Sequence, residues 1–367
     1  MGEITSEDMK LFPDVSRAPA HSLGLGGDIK TYPSDFIVEE VWEKGVCTVN
    51  HPLSNRIVDQ LMIRVQKRNS YLHFTLVKQN WDTWGALNYI GRKIGMSLKR
   101  FGISGMKDKR AVTAQRISIW KADAKIIARL KMKHLTLKDF RYADERINLG
   151  NSLGNQFTIT IRNIPHTQEQ IGDILKRFKK IVSEEGVLNY YGPQRFEGQN
   201  AEVGEALKEG TLKKATEIIL GKVHPFLVEG TIDTVPNVYW YEKKMLRHLQ
   251  KFPNDYAGAL RRIPKKILRI YVHAYQSKIF NTSLQRASIE NKIPENISVP
   301  GFQIPRMPEL KTMQIERKSI LKADQFTIIK ASDHTAVLRF RLGSGEYATT
   351  LLSYLIDNNN EALQIGL

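Results

Sequence analysis

The alternation of apolar and polar residues predicts several β-strands, most of them in the first half of the chain. Gln156–Arg162 (QFTITIR) alternates with a period of two, which is the pattern of a strand with one buried face. Arg116–Trp120 alternates in the same way, and Phe36–Val38 and Tyr71–Val77 are rich in β-branched and aromatic residues. Because Ala336–Phe340 has a similar composition, strands are predicted at both ends of the chain.

Helix signals lie between these strand-like segments. Thr167 and Gln170 form a capping-box pattern, an apolar stripe with helical spacing follows, and Gly186 stands where that helix should end. Asn80–Asp82 offers capping residues for another helix, and a third helical pattern begins after Pro264.

Residues 197–330 differ in character from the segments on either side. They contain helical patterns followed by a loop-rich, proline-containing stretch, and no comparable run of strands. At 367 residues the chain is long enough for two domains. Strand-rich segments that flank a helical middle are the pattern expected of an inserted domain.

The charge balance favours a polyanionic partner. The chain carries 55 basic and 38 acidic residues, for a net charge of +17. Basic and aromatic residues are interleaved at Lys99–Phe101, Arg141–Tyr142 and Arg195–Phe196, which suits contact with phosphates and stacking on bases. A generally basic enzyme with no nucleic-acid partner is the alternative interpretation.

Composition excludes several other classes of protein. The single cysteine, Cys47, permits neither an internal disulfide nor a multi-cysteine metal site, and it predicts a reducing, cytoplasmic environment. The nine histidines show no metal-binding spacing. No apolar run is long enough to span a membrane, so no membrane association is predicted. Nothing in the chain indicates an obligate protein partner.

The segment Gly105–Gln115 (GMKDKRAVTAQ) places one carboxylate, Asp108, among the cations Lys107, Lys109 and Arg110. A cationic neighbourhood favours the ionised form of an aspartate, and an ionised aspartate on a constrained turn can act as a nucleophile. Taken alone, an aspartate between two lysines is more typical of a solvated turn.

Five segments, spread from residue 30 to residue 350, reverse that interpretation. They are Lys30–Glu40 (KTYPSDFIVEE), Ser104–Gln115 (SGMKDKRAVTAQ), Leu153–Phe157 (LGNQF), Asn189–Phe196 (NYYGPQRF) and Leu342–Thr350 (LGSGEYATT). In this order they resemble the signature motifs of the TruD family of tRNA pseudouridine synthases. Each motif alone is moderately specific, whereas five in sequence are very specific.

The resemblance implies an α+β fold. A pseudouridine-synthase catalytic domain with a mixed, mainly antiparallel sheet (1–196 plus 331–367) would be interrupted by a family-specific α+β domain (197–330). It also implies that a uridine in RNA, most simply in tRNA, is isomerised to pseudouridine, with position 13 the leading expectation. The N1–C1′ bond is broken and the uracil is rejoined through C5, so neither a cofactor nor a metal is required.

By the same resemblance, Asp108 is the catalytic residue. It would either attack C1′ or promote loss of the 2′ proton, and the sequence does not choose between these. Lys30 and Lys107 fall on the family's active-site lysines, where they would hold Asp108 ionised or contact a phosphate. Solvated surface lysines are the alternative for both.

The remaining site residues are also implied by the resemblance. Asn155 and Phe157 fall on the uracil pocket, where an amide suits the edge of the base and a ring suits its face. The alternative for Phe157 is an ordinary strand core. Phe36 and Tyr347 align with pocket aromatics, although many family members have Phe at the position of Tyr347.

Two charged residues remain open between a functional and a structural role. Arg195 would clamp a phosphate, or its motif would simply pack a domain boundary through its tyrosines. Glu40 would order a pocket lysine or carry a surface charge. The chief rival to the enzyme is a non-catalytic RNA-binding protein or RNA chaperone of the same fold. A metal-dependent nuclease is a second rival, although the sequence has no dense carboxylate cluster.

Overall fold

The computed structural model describes residues 22–50, 57, 59–63, 69–228 and 230–356. Contacts divide the described chain into two units. The sheet unit comprises residues 22–187 and 321–356, and the helical unit comprises residues 188–320. Within the described residues, no helix combines the length and the apolar character needed to cross a membrane.

The strands of the described chain follow one another in this order: β1 (Phe36–Trp42), β2 (Gly45–Val46), β3 (Tyr71–Gln79), β4 (Phe101–Ile103), β5 (Val112–Trp120), β6 (Leu135–Ala143), β7 (Gly154–Arg162), β8 (Val187–Leu188), β9 (Asn296–Val299), β10 (Ile315–Lys318), β11 (Ile320–Leu321), β12 (Asp324–Ser332) and β13 (Thr335–Gly343).

The large sheet has the order β12-β13-β7-β1-β5-β3-β6, with β2 beside β1 and β4 beside β5. Only β1 and β5 pair in parallel, and the other described pairs of this sheet are antiparallel. Helices pack on this mixed, mainly antiparallel sheet, which confirms the predicted α+β fold. The strand predictions at both ends of the chain are confirmed by β1, β3, β5, β7 and β13.

The α-helices of the described chain with defined bounds are α1 (Thr83–Lys93), α2 (Ala124–Ile127), α3 (Gln168–Lys180), α4 (Asn200–Glu209), α5 (Leu212–Gly221), α6 (His224–Leu227), α7 (Trp240–Lys251), α8 (Tyr256–Leu260), α9 (Lys265–Ile289) and α10 (Ala348–Leu352).

The predicted helix ends are found in the structure. The Thr167 hydroxyl accepts from the backbone of Gln170, whose side chain accepts from the backbone of Thr167, as the capping box requires. After α3, a π-helical turn leads to Gly186, which leaves the helix with a φ of 83°. Asp82 caps α1 by accepting from the backbone of Gly85 at 2.8 Å.

Two hydrophobic clusters cover one face of the sheet. One forms where α3 and α10 pack on β1, β7 and β13, and it includes Phe36, Phe157 and Phe340. The other forms where α1 packs on β3 and β5, and it includes Phe74 and Ile117. Burial of these apolar side chains supplies the main driving force for folding of the unit.

The helical unit has a core of its own. Its buried residues come from α4, α5, α7, α8 and the 25-residue α9, together with the loop that contains Phe302 and Ile304. The small antiparallel sheet of β9 and β10 covers the end of α9. The helical character predicted for the middle of the chain is therefore present.

The predicted domain boundaries differ from the limits of the two units. The sequence places them at 196/197 and 330/331, whereas contacts separate the units at 187/188 and 320/321. The difference near residue 330 arises because β12 pairs with β13 and so belongs to the large sheet. The division into a catalytic and an inserted domain stays a proposal.

Candidate active site

The loop between β4 and β5 carries Asp108 beside a buried ammonium group. Lys30 Nζ lies 3.4 Å from Asp108 Oδ1, and the two side chains are 6% and 39% exposed. The same Nζ lies 4.3 Å from the centroid of the Phe36 ring. A carboxylate with one open side is thus paired with a lysine that is held against an aromatic ring.

A tight turn before β1 places Lys30. Its φ of 58° lies in the left-handed region, which is uncommon for a residue other than glycine. The turn is fixed by Asp35, whose carboxylate accepts from the backbone of Tyr32 at 2.9 Å and from the guanidinium of Arg162 at 2.8 and 2.9 Å. This bidentate pair ties the turn to β7.

Side chains from the sheet hold the backbone of the Asp108 loop. Lys78 Nζ donates to the carbonyl oxygens of Trp81, Lys107 and Asp108 at 2.7, 3.2 and 2.6 Å. The Gln115 amide donates to the carbonyl of Gly105 at 3.0 Å.

Thr83, the first residue of α1, joins these contacts. Its hydroxyl accepts from the backbone N–H of Lys107 and donates to Gln115 Oε1, both at 3.1 Å. The loop therefore has three side-chain supports, from β3, β5 and α1, and its conformation is fixed by the fold.

The Lys107 side chain pairs with Glu40. Its Nζ lies 2.9 Å from Glu40 Oε1, and the two side chains are 6% and 0% exposed. The second carboxylate oxygen of Glu40 accepts from Trp42 Nε1 and from the backbone of Arg116, both at 2.9 Å. Glu40 thus orders a lysine of the site and carries no surface charge. The surface-lysine alternative is also excluded for Lys30 and Lys107, since both are buried.

Strand register gathers the site on one face of the sheet, because directly paired residues of neighbouring strands face the same side. The register pairs β1 with β7, β5 with β1, β3 with β5 and β13 with β7. It therefore puts on this face the side chains of Phe36, Glu40, Lys78, Thr113, Gln115, Asn155, Phe157 and Leu342.

Asn155 is paired with Glu40 across β1 and β7. Its Oδ1 is buried and has no hydrogen-bond partner among the described residues, and the same is true of Thr113 Oγ1. A buried acceptor without a protein partner is costly to maintain, and in native proteins such a group often has a functional role. Asn155 thus has the chemistry to accept a hydrogen bond from a bound base.

Phe157 and Phe36 are on the same face of the sheet, but they lie within the hydrophobic core that packs on it. They are 5% and 1% exposed, and their ring centroids are 6.1 Å apart in an edge-to-face arrangement. Phe157 also stacks on Phe340 at 5.5 Å. This packing matches the strand-core alternative for Phe157, and contact of either ring with uracil stays a prediction.

Tyr347 is the N-cap residue that immediately precedes α10, and it is 41% exposed. It follows β13, whose last residues pair with Gly154 and Asn155 of β7. The turn before it is closed by Glu346, which accepts from the backbone of Gly343 at 2.7 Å. Tyr347 therefore lies after the strand end next to Asn155, and its contact with substrate stays a prediction.

Arg195 belongs to the helical unit. Its guanidinium lies 5.2 Å from the centroid of the Tyr191 ring, and Arg317 lies 4.3 Å from the same ring. Asn281 fixes the backbone of Tyr191 by accepting from its N–H at 2.8 Å and donating to its carbonyl at 2.9 Å. These contacts support a packing role for the motif, and the phosphate contact of Arg195 stays a prediction.

The sequence patterns assign no role to Lys78, Thr83 or the Gln115 amide. The sequence nevertheless contains a signal for Lys78. Alternation along β3 puts it on the same side of the strand as the buried Leu72, Phe74 and Leu76. A lysine on the buried side of a strand needs polar partners, and in this fold the partners are carbonyls of the Asp108 loop. Which partners it finds depends on the fold.

Among the residues that the structure describes, there is no group of three or more His, Cys, Asp or Glu side chains that could hold a metal ion. Cys47 is buried, and burial raises the pKa of its thiol to about 11. It is therefore a core residue that stays protonated at neutral pH.

Comparisons with known proteins agree on one family. The model of the family described as tRNA pseudouridine synthase D (TruD) matches residues 19–294. A protein of Methanosarcina barkeri named "Probable tRNA pseudouridine synthase D" is 34% identical over 298 residues, which cover 76% of this chain and 64% of the relative. A Methanocaldococcus jannaschii relative with a name of the same kind is 26% identical, and the match covers 91% of this chain and 96% of that protein.

A solved structure supports the same assignment. The crystal structure of a Methanosarcina mazei protein described as "the Putative tRNA pseudouridine synthase D (TruD)" matches with a TM-score of 0.70 and 26% identity. The match covers 99% of this chain and 100% of that chain. The chain spans less than two thirds of the length of the first Methanosarcina relatives, at 64%, 64% and 63%.

Proposed function

This chain belongs to the TruD family of tRNA pseudouridine synthases, and on that premise we propose that it isomerises a uridine of tRNA to pseudouridine. The proposal depends most on one observation, the Asp108 carboxylate paired at 3.4 Å with the buried Lys30 ammonium on a loop held by three side chains. A carboxylate in a fixed position, partly open on one side, is what attack on a sugar carbon or abstraction of its neighbouring proton requires.

The reaction breaks the N1–C1′ bond of uridine and forms a C5–C1′ bond, while C5 loses its proton and N1 gains one, so that the overall composition is unchanged. Asp108 either adds to C1′ as uracil leaves or takes part in loss of the 2′ proton, and both routes need an ionised carboxylate beside the ribose. Lys30 supplies the neighbouring positive charge. The target nucleotide must leave its stack to reach this loop, as for other enzymes that act on bases.

Asn155 is the proposed contact for the uracil edge. Its buried Oδ1 has no partner among the described residues, and it would accept from the N3–H of the base. During the isomerisation the uracil must rotate so that C5 replaces N1 beside C1′. A single contact between Asn155 and N3–H can hold the base and still permit this rotation. Tyr347, exposed just before α10, is the proposed aromatic contact.

The proposed substrate is tRNA, with position 13 the leading choice, and the proposed location is the cytoplasm. The net charge of +17 suits a polyanionic substrate. Arg195 is proposed to contact a phosphate of the RNA. No cofactor is proposed, because the isomerisation exchanges one bond of C1′ for another without a change of redox state.

Asp108→Asn tests the proposal directly. We expect this variant to form no pseudouridine in tRNA, because an amide can neither act as the nucleophile nor accept the 2′ proton. Its affinity for tRNA should be retained or increased, since a negative charge near a polyanion is lost. Because pseudouridine and uridine have the same mass, the RNA is first treated with a carbodiimide that leaves a stable adduct on pseudouridine, and the adducts are then mapped by mass spectrometry in total tRNA after single-turnover incubation. Binding is measured by filter retention.

Asp139→Asn is a matched control. The Asp139 side chain is 43% exposed and lies 3.7 Å from the ammonium of the buried Lys138, so its exposure and pairing resemble those of Asp108. This variant should retain wild-type activity. Product formation by Asp108→Asn at the wild-type rate would show that the assignment is wrong.

The same assay separates the rival functions. A non-catalytic RNA-binding protein would bind tRNA, and the wild type would leave its uridines unchanged. A metal-dependent nuclease would cleave the RNA and would lose activity in excess chelator. Intact tRNA with new pseudouridine, formed in the presence of chelator, excludes both.

A further inference from the structure

Lys78 is a buried cation that meets the backbone of the Asp108 loop. Its side chain is fully buried in β3, and its three donor contacts all go to carbonyl oxygens. Two of these carbonyls belong to Lys107 and Asp108 themselves, and the contact with Asp108 is the shortest at 2.6 Å. Of the three supports of the loop, Lys78 alone holds the peptide of the catalytic residue.

From this geometry we propose that Lys78 is a positioning residue for the reaction, whose ammonium orients the Asp108 carboxylate by fixing the two carbonyls on either side of the Asp108 N–H. The inference rests on the proposed function and deepens it. A side chain leaves its Cα in a direction set by the local backbone, so rotation of these peptides would move the carboxylate relative to Lys30.

Burial lowers the pKa of Lys78 to about 8, and the nearby charge of Asp108 opposes that lowering. A charged ammonium has three N–H donors for three carbonyls, whereas the neutral amine has two. Charge-assisted hydrogen bonds are also stronger than neutral ones. The positioning effect should therefore be strongest well below pH 8 and should weaken as the pH rises through 8.

The sheet offers a matched control in Lys138. It is the other fully buried lysine of this sheet, and it donates to the carbonyl of Asn50 at 2.6 Å and to the hydroxyl of Thr48 at 3.1 Å. None of these contacts involves the Asp108 loop. A general cost of removing a buried lysine would therefore lower the activity of variants at both positions, whereas loss of positioning would lower the activity of the Lys78 variant alone.

The experiment compares Lys78→Met with Lys138→Met. Methionine keeps the approximate length and volume of lysine but has no donors. Thermal unfolding establishes that each variant is folded at the assay temperature. The rate of pseudouridine formation is then measured in single turnover with saturating enzyme, between pH 6.5 and 9.5, and the tRNA dissociation constant is measured separately.

We expect Lys78→Met to react about 100-fold more slowly than wild type at pH 7, the scale of loss typical of a misplaced reacting group, with an unchanged dissociation constant. The ratio of wild-type to Lys78→Met rates should narrow above pH 8, as the wild type loses its own ammonium. Lys138→Met should match the wild type at every pH. If Lys78→Met does not fold, Lys78→Leu, which also lacks donors, is measured in the same way.

Equal rates for folded Lys78→Met and wild type would overturn the inference while the proposed function stands. A ratio of wild-type to Lys78→Met rates that stays constant with pH would also overturn the inference. It would indicate that the variant is slow because its packing differs, and not because the ammonium group is missing. A wild type that forms no pseudouridine would remove the proposed function, and the inference with it.

Discussion

The buried ion pair between Glu40 and Lys107 offers a quantitative test of how the site is built. Glu40→Gln removes the negative charge at nearly constant volume. The Lys107 ammonium, 6% exposed and 2.9 Å from Glu40 Oε1, then faces a neutral amide. Glu40 Oε2 also accepts from Trp42 and Arg116, so the single oxygen of glutamine cannot serve all three donors.

The expected loss of stability follows from these contacts. Removing one partner of a buried pair costs about 3–5 kcal/mol, because the remaining charge is left uncompensated. Glutamine still accepts some of the hydrogen bonds, so we expect the free energy of unfolding to fall by about 3 kcal/mol. In a domain of about 200 residues, that corresponds to a decrease in Tm of about 6–12 °C.

The double variant Glu40→Gln with Lys107→Met should be more stable than Glu40→Gln by about 2 kcal/mol, since no buried charge is then unpaired. Guanidinium unfolding followed by circular dichroism and by tryptophan fluorescence measures both values. Trp42 is a useful reporter because its indole N–H donates to Glu40.

Asp173→Asn is the control for an exposed pair in the same unit. Asp173 and Lys176 are 66% and 76% exposed, so this change should cost less than about 1 kcal/mol. A loss of that small size for Glu40→Gln, or a double variant no more stable than Glu40→Gln, would contradict the reasoning.

Two further predictions concern Asn155 and the glycine before it. Asn155→Leu should leave the Tm nearly unchanged, because the amide oxygen that it removes has no partner among the described residues. It should lower kcat/KM for pseudouridine formation about tenfold, because one hydrogen bond to the substrate is lost. A large fall in Tm with normal kcat/KM would contradict this role. Gly154→Ala should destabilise by about 1–3 kcal/mol in thermal unfolding, because its Cβ would clash with the carbonyl oxygen of Leu342 in β13. Gly172→Ala, where α3 leaves open space around the Cβ, should instead stabilise by about 1 kcal/mol, and equal effects at the two glycines would refute the packing argument.

Much of the sheet unit is predictable from local patterns. The alternation in β7 and the capping box of α3 are short-range signals, and the structure follows both. The parallel pairing of β1 with β5 could not be read in this way, since it depends on contacts between residues far apart in sequence. That pairing sets the Asp108 loop beside the strand that begins with Phe36.

The motifs proposed which residues form the site, but they could not predict which of these side chains pair with one another. The motifs assign Lys30 and Lys107 similar roles in one site. In the structure, Lys30 pairs with Asp108 and Lys107 pairs with Glu40. Charge and motif spacing cannot predict which lysine pairs with which carboxylate, because each pair joins residues that are far apart in the sequence. The burial of Lys78 could likewise be predicted only from its position in β3, on the same side of the strand as the buried apolar residues.

The order of strands in the large sheet has a consequence for synthesis on the ribosome. β7 lies between β1 and β13, but β13 is translated only after the whole of residues 188–320. At a translation rate of ~5–20 residues per second, the nascent chain holds an open β7 edge for on the order of ten seconds. An uncovered, strongly β-forming edge pairs readily with other chains, and β7 has a single charged residue, Arg162, at its end. Chaperones that bind extended segments should therefore raise the yield of this protein more than that of one whose sheet is completed in sequence order.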